Sequence, residues 1–245
     1  MMQPSVAAGP EAPVGILMLA TRFARIPGDV GNAATWPFPV LWHVVPRADP
    51  RRVVLDGARG LLPAFLDGAR QLAARGACLV TTSCGFLALF QAELAAAVDV
   101  PVATSALLQI PWLQATLPRG RRVGVVTAAA DSLTAAHFEA VGAAPDTPTI
   151  GLEGTELFRV VVSGEADTFD ARRACLDVVD AGRRLVAAHP EVSAIVLECT
   201  NLPPYARALS EATGMPVYDV VSMVGWLRGG SRPRPFTSSV RAAVR

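Results

Sequence analysis

Apolar and polar positions along the chain follow two alternating rhythms. Short runs dominated by Val, Ile, Leu and Thr recur in the first half: "VGILMLA" from Val14, "VLWHVV" from Val40, "ACLVTT" from Ala77 and "PVATS" from Pro101. The second half has its own set, "VGVVTA" from Val123, "TIGLE" from Thr149, "AIVLE" from Ala194 and "PVYDVV" from Pro216. Their length and β-branched content predict strands. Between them lie "LLPAFLDGARQLAARG" from Leu61 and "TFDARRACLDVVDAGRRLVAAH" from Thr168, where apolar residues recur at three and four and predict amphipathic helices. Strands alternating with helices argue for an α/β fold with mostly parallel sheets.

The pattern repeats. Cys84 lies 17 positions before Pro101-Val102, and Cys199 lies 17 before Pro216-Val217. At the same displacement of 115 residues, Phe90 falls on Tyr205, Leu94 on Leu209 and Ala97 on Ala212, and each half opens on a Val-Gly strand, at Val14-Gly15 and Val123-Gly124. Duplication is the reading these anchors support. It predicts two pseudosymmetric lobes, at 14–118 and 119–228, with the last strand and helix able to pack back on the first lobe. A flexible leader over 1–13 and a solvated tail over 229–245 complete the division.

Composition narrows the function. Of the 245 residues, 51% are hydrophobic, and a formal charge of +1 with dispersed Arg predicts no nucleic-acid partner. "MMQPSVAAGPEAP" lacks a basic n-region, so it reads as a cytoplasmic leader rather than a secretory signal. No apolar window is long enough to predict a membrane span. Four cysteines without a CxxC pair suit free thiols in a reducing compartment. The sequence contains no lysine, which removes the amine of a pyridoxal phosphate Schiff base and of a Walker A loop. His43, His137 and His189 lack metal-ligand spacing, and no dinucleotide fingerprint opens a helix. Neither metal nor cofactor is expected.

The candidate chemistry sits at two strand ends. "VTTSCGFLALF" leaves its strand through Ser83, Cys84 and Gly85, and "VLECTN" through Glu198, Cys199, Thr200 and Asn201. Ligands of open α/β sheets bind outside the carboxyl ends of strands, where helix N-termini present N–H groups to an anion. A thiol there is expected to ionise more readily than a free one. Two thiols on opposite faces of one carbon meet the demand of racemisation, one removing a proton and the other returning one. Glu198 could raise the pKa of Cys199, although strand alternation predicts that it faces away. Arg22 and Arg25, after the first strand, could pair a distal carboxylate at the cleft mouth. Cys78, Cys175, Trp36 and Phe38 are expected to be core residues.

"TTSCGFLALF" and "LECTNLPPYA", with "RIPGDVGN" and "VGVVTAAADSLTAAH", resemble the cofactor-independent aspartate/glutamate racemase superfamily over about Val14 to Trp226. The resemblance implies two pseudosymmetric α/β lobes with the active site in the cleft between them. It assigns Cys84 and Cys199 as catalytic thiols and Ser83, Gly85, Thr127, Thr200 and Asn201 as carboxylate contacts; Phe86 and Arg22 complete the candidate substrate-binding set. The pattern departs from that of glutamate racemases: Gly85-Phe86 stands for Asn-Thr, Asn201 for His, and Ala20-Thr21 for an Asp-Ser pair. A racemase or epimerase of an amino acid or related 2-substituted acid is therefore expected, acting on a small carboxylate in the cytoplasm, with a homodimer as the candidate assembly. The alternatives are a same-fold isomerase or decarboxylase of a small diacid, and a non-catalytic small-acid binding protein. The two cysteines argue against the decarboxylase, and the absence of a histidine in a familiar context argues against a cysteine hydrolase.

Overall fold

The computed structural model describes residues 12–231. Eight strands form two four-stranded sheets of identical topology. In the first, β1 (Val14–Met18), β2 (Val40–Val44), β3 (Leu79–Thr82) and β4 (Val102–Ala103) are arranged in the order β2-β1-β3-β4. In the second, β5 (Arg122–Thr127), β6 (Thr149–Gly151), β7 (Val192–Leu197) and β8 (Val217–Tyr218) follow the order β6-β5-β7-β8. All six pairings are parallel. The central strands β1 and β3 are buried throughout, and β5 and β7 nearly so, as befits parallel strands covered on both faces.

Each sheet is covered in the same way. Helix α1 (Pro50–Val54) follows β2, and α2 (Leu62–Ala74) crosses over to β3; α3 (Gln91–Ala96) links β3 to β4, and α4 (Gln109–Thr116) leads into the second lobe. There α5 (Ala135–Glu139) and α6 (Glu156–Val161) flank β6, α7 (Ala171–Ala188) crosses to β7, and α8 (Ala206–Thr213) crosses to β8. Gly15 in β1 lets α2 approach, since a β-carbon there would meet Leu72 Cβ at 3.0 Å. Gly124 in β5 does the same for α7, where a β-carbon would meet Leu185 Cδ2 at 2.9 Å. The repeated Val-Gly pair thus marks a repeated packing constraint.

One continuous apolar core joins the lobes, with Leu17, Val80 and Phe86 in the same cluster as Val125, Val196 and Leu202. A second cluster covers the other face of the first sheet. Its cover comes from the far end of the chain: Val220, Met223 and Val224 of α9 (Val220–Gly230) pack with Val14, Ile16 and Leu79. Strand β8 stays in the second sheet while α9 returns to the first lobe. Asp219 starts this helix with a capping box, its carboxylate accepting from the Ser222 N–H while Ser222 Oγ accepts from the Asp219 N–H.

Some expectations need correction. Cys78 and Cys175 are half-buried rather than core residues, packing against the core edges. Helix α9 runs to Gly230, two residues into the segment expected as tail. The remainder of the leader and tail, residues 1–11 and 232–245, lies outside the described residues. Trp36 is buried, donating its indole N–H to the Val30 carbonyl at 2.9 Å. Among the described residues no helix is long and apolar enough to cross a membrane.

Candidate active site

Both cysteines stand two residues beyond equivalent strand ends, Cys84 after β3 and Cys199 after β7. Ser83 continues the ladder, its N–H donating to Leu17 O at 2.9 Å and its hydroxyl oxygen accepting from Leu19 N at 2.8 Å. Cys84 then adopts an extended conformation and caps a short 3-10 turn, Gly85–Phe90, with the Thr82 hydroxyl accepting from its N–H at 3.3 Å. On the other side, the N–H of Glu198 donates to Val126 O at 2.9 Å, and the chain turns through Cys199 and Thr200.

A single side chain ties the two motifs together. The Thr200 hydroxyl, fully buried, donates to the Ser83 carbonyl at 2.7 Å, so the turn bearing one thiol is bonded to the residue preceding the other. The "RIPGDVGN" loop closes this junction from one side. Buried Asp29 accepts from Arg25 Nη1 at 2.7 Å, from Gly31 N at 2.7 Å and from the Asn201 amide. Asn201 in turn accepts from the Cys199 thiol at 3.4 Å. Gly28 has φ +98° and a β-carbon there would meet Pro204 at 3.0 Å, so the turn requires glycine both for its backbone and for its approach to the double proline.

The result is a small, partly open, mainly apolar cavity with a solvent-accessible interior of about 20 Å³. Ser83, Cys84, Phe86, Cys199 and Asn201 line it, together with Leu19, Thr21, Phe23, Arg25, Pro50, Val54, Ala128, Val161, Val162 and Glu198. It opens toward a wider outer cleft of about 870 Å³ between the lobes.

Not every residue in the sequence-derived set reaches the cavity. Arg22 is exposed and borders the outer cleft instead. Arg25 reaches the cavity, but its guanidinium is engaged by Asp29 and by the Thr21 hydroxyl at 2.9 Å. Thr200 is spent on Ser83, and Thr127 donates its hydroxyl to Glu198 Oε2 at 2.7 Å. Gly85 lies behind the wall, where a β-carbon would overlap Glu198 Oε1.

Glu198 is the residue that alternation misplaced. Strand β7 ends at Leu197, so the strand rule does not govern Glu198, and its carboxyl turns inward with no exposure to solvent. Burial pushes its pKa up to about 7, against the lowering effect of the Thr127 hydroxyl. The thiols also depart from expectation. Burial, then the nearby Glu198 carboxylate, raises Cys84 well above the ordinary thiol range, and the same two causes in the same order raise Cys199. The backbone N–H groups of Phe86 and Asn201 do point at the sulfurs and oppose the shift, but a short turn in an apolar cavity cannot offset desolvation. The sequence signal for Glu198 was an acid wedged between an apolar run and a cysteine.

Two lobes of one topology with a thiol from each opening on a shared cavity define the class of the two-lobed α/β enzymes to which the aspartate racemases belong. The chain belongs to the Asp/Glu/Hydantoin racemase family, whose model matches residues 38–227. It is 30% identical over 229 residues to a dimethylsulfoniopropionate lyase of Durusdinium sp. clade D, covering 89% of this chain and 75% of that protein. It is 28% identical over 242 residues to dimethylsulfoniopropionate lyase 5 of Emiliania huxleyi, covering 91% of this chain but only 46% of that longer protein. Among solved structures, an arylmalonate decarboxylase superposes with a TM-score of 0.59 at 20% identity, over 90% of this chain and 94% of the other. The aspartate racemase of Picrophilus torridus does so with a TM-score of 0.54 at 13% identity, over 93% and 97%. These two likenesses establish the shared fold.

Proposed function

We propose that the chain is a carbon-acid lyase: it removes the proton α to the carboxylate of a small acid held between Cys84 and Cys199, and the resulting carbanion expels a β-substituent. The substrate is dimethylsulfoniopropionate. A thiolate takes the α-proton, the carbon–sulfur bond breaks with its electron pair leaving on sulfur, and the products are acrylate, dimethyl sulfide and one proton. The observation that carries the reading is the pair of thiols, one from each lobe, lining one mainly apolar cavity. The names of the two lyase relatives supply the leaving group. The raised thiol pKa values keep both sulfurs protonated in the free protein, so the reaction requires the thiolate to form with the substrate bound.

A second reading is racemisation of a 2-substituted acid, favoured by thiols from opposite lobes. One experiment separates them. The purified protein is incubated in D2O with dimethylsulfoniopropionate and, separately, with a panel of amino acids and hydantoins, with dimethyl sulfide followed by gas chromatography and α-hydrogen exchange by NMR. Dimethyl sulfide release with equimolar acrylate is expected. Deuterium incorporation into a chiral acid without dimethyl sulfide would replace the lyase reading with the racemase.

A further inference from the structure

Glu198 has one carboxylate oxygen accounted for and one free. Oε2 accepts from Thr127, whereas Oε1, fully buried, has no hydrogen-bond partner among the described residues. Room for it is provided from the opposite lobe: a side chain at Gly85 would occupy the space that Oε1 takes. A buried carboxylate without a counter-charge is costly unless a ligand compensates its charge. The surroundings indicate which kind of ligand. Arg25 and Glu198 are the charged side chains lining the cavity, and Arg25 is already neutralised by Asp29 at 2.7 Å. Phe86, Val161, Val162 and Ala128 supply apolar walls without hydrogen-bond donors.

We propose that Glu198 is a cation subsite that seats the onium group of a zwitterionic short-chain carboxylate, a sulfonium or quaternary ammonium, beside its carboxylate at the cavity wall. An alkylated onium carries positive charge but no N–H or O–H donor, so it needs an anionic neighbour and apolar contact for its methyls, and an aromatic face such as that of Phe86 adds attraction. At low local dielectric the charge pair is worth far more than in water. The same carboxylate opposes a ligand that brings a second negative charge, which sets this cavity against dicarboxylic amino acids. The inference deepens the lyase reading, since dimethylsulfoniopropionate is such a zwitterion. It also gives the positive sulfur a second effect, lowering the cost of forming a thiolate beside it.

The groups facing Glu198 are Cys84 at the end of β3, Cys199 beside it and Thr127 on β5, with the compensated Arg25–Asp29 pair behind. Both thiols stay protonated near neutrality. Glu198 is therefore the group whose charge changes between pH 6 and 8 in the empty cavity.

The test is calorimetric binding of 3-(trimethylammonio)propanoate against its uncharged isostere 4,4-dimethylpentanoate. Wild type should prefer the cationic ligand about tenfold at pH 8, a difference of about 1.4 kcal/mol, with the preference shrinking toward pH 6. Glu198→Gln should bring the ratio close to one while leaving affinity for the uncharged isostere within about threefold. A preference that survives Glu198→Gln, or none in wild type, would overturn the subsite. Should the variant not fold, the pH dependence of the wild-type ratio decides, and a ratio flat from pH 6 to 8 would overturn it. Cationic preference without dimethyl sulfide release would leave the subsite standing and overturn the lyase; dimethyl sulfide release with the preference intact in Glu198→Gln would do the reverse.

Discussion

At the scale of single residues, Glu198 links the cavity to the stability of the protein. Folded, it keeps its proton up to about pH 7; unfolded, a carboxylate releases it near the ordinary 4.5. Between those values the unfolded chain binds fewer protons, so stability falls as pH rises through the window and levels off above it, by on the order of 3 kcal/mol. Asp219, also raised by burial, contributes with the same sign. Denaturant titrations of wild type and Glu198→Gln at pH 5 and pH 8 should isolate the Glu198 share as a steeper pH-dependent loss in wild type. The raised thiols make a second prediction. Alkylation of Cys84 and Cys199 by iodoacetamide, followed by mass spectrometry, should accelerate up to pH 9 without a plateau, whereas a low-pKa thiolate would level off near neutrality. Cys84→Ser and Cys199→Ser should each lower turnover, the base by about 10² to 10⁴; equal wild-type rates in both would remove the thiols from the mechanism.

At the scale of elements, positioning rests on turns and one distant helix. Thr200 bonds the second-lobe turn to Ser83, and its replacement by valine strands the buried Ser83 carbonyl. Thr200→Val should cost about 1–3 kcal/mol and lower kcat more than it raises KM, because it loosens the spacing of the thiols; steady-state kinetics and chemical denaturation check both. Helix α9 acts differently. Met223 is buried against the first sheet, far along the chain from the strands it covers. Met223→Ala should cost about 2–5 kcal/mol in a denaturant melt while leaving the pH dependence of activity unchanged, since Met223 does not line the cavity.

At the scale of the whole molecule, two lobes behave as one folding unit. Their shared core runs from Phe65 and Leu87 of the first to Leu185 and Val196 of the second, and α9 of the chain's end seals the first sheet. Tryptophan fluorescence, from Trp36, Trp42, Trp112 and Trp226, and far-ultraviolet circular dichroism over both lobes should therefore give coincident unfolding transitions. Two separated transitions would mean that the lobes fold independently.

Sequence alone determined the strands, the crossover helices and the duplication, because hydrophobic period and the paired Val-Gly, Cys and Pro-Val anchors are local and repeat in register. It also marked Cys84 and Cys199, since residues just past a parallel strand are carried to the same edge of the sheet whatever the partners. Other features depended on contacts between segments distant in the chain. Arg25 rather than Arg22 reached the cavity because Asp29, pinned by Asn201 from the other lobe, draws its guanidinium inward. Thr127 and Thr200 spent their hydroxyls on Glu198 and Ser83, partners 71 and 117 residues away. The thiols were driven toward protonation instead of ionisation because desolvation and the Glu198 charge exist only once both lobes close. Glu198 itself escaped the alternation rule because β7 ends one residue earlier, and the glycine that makes room for it stands on the opposite lobe. Periodicity places a residue on its own strand, but only the assembled cleft decides what that residue faces.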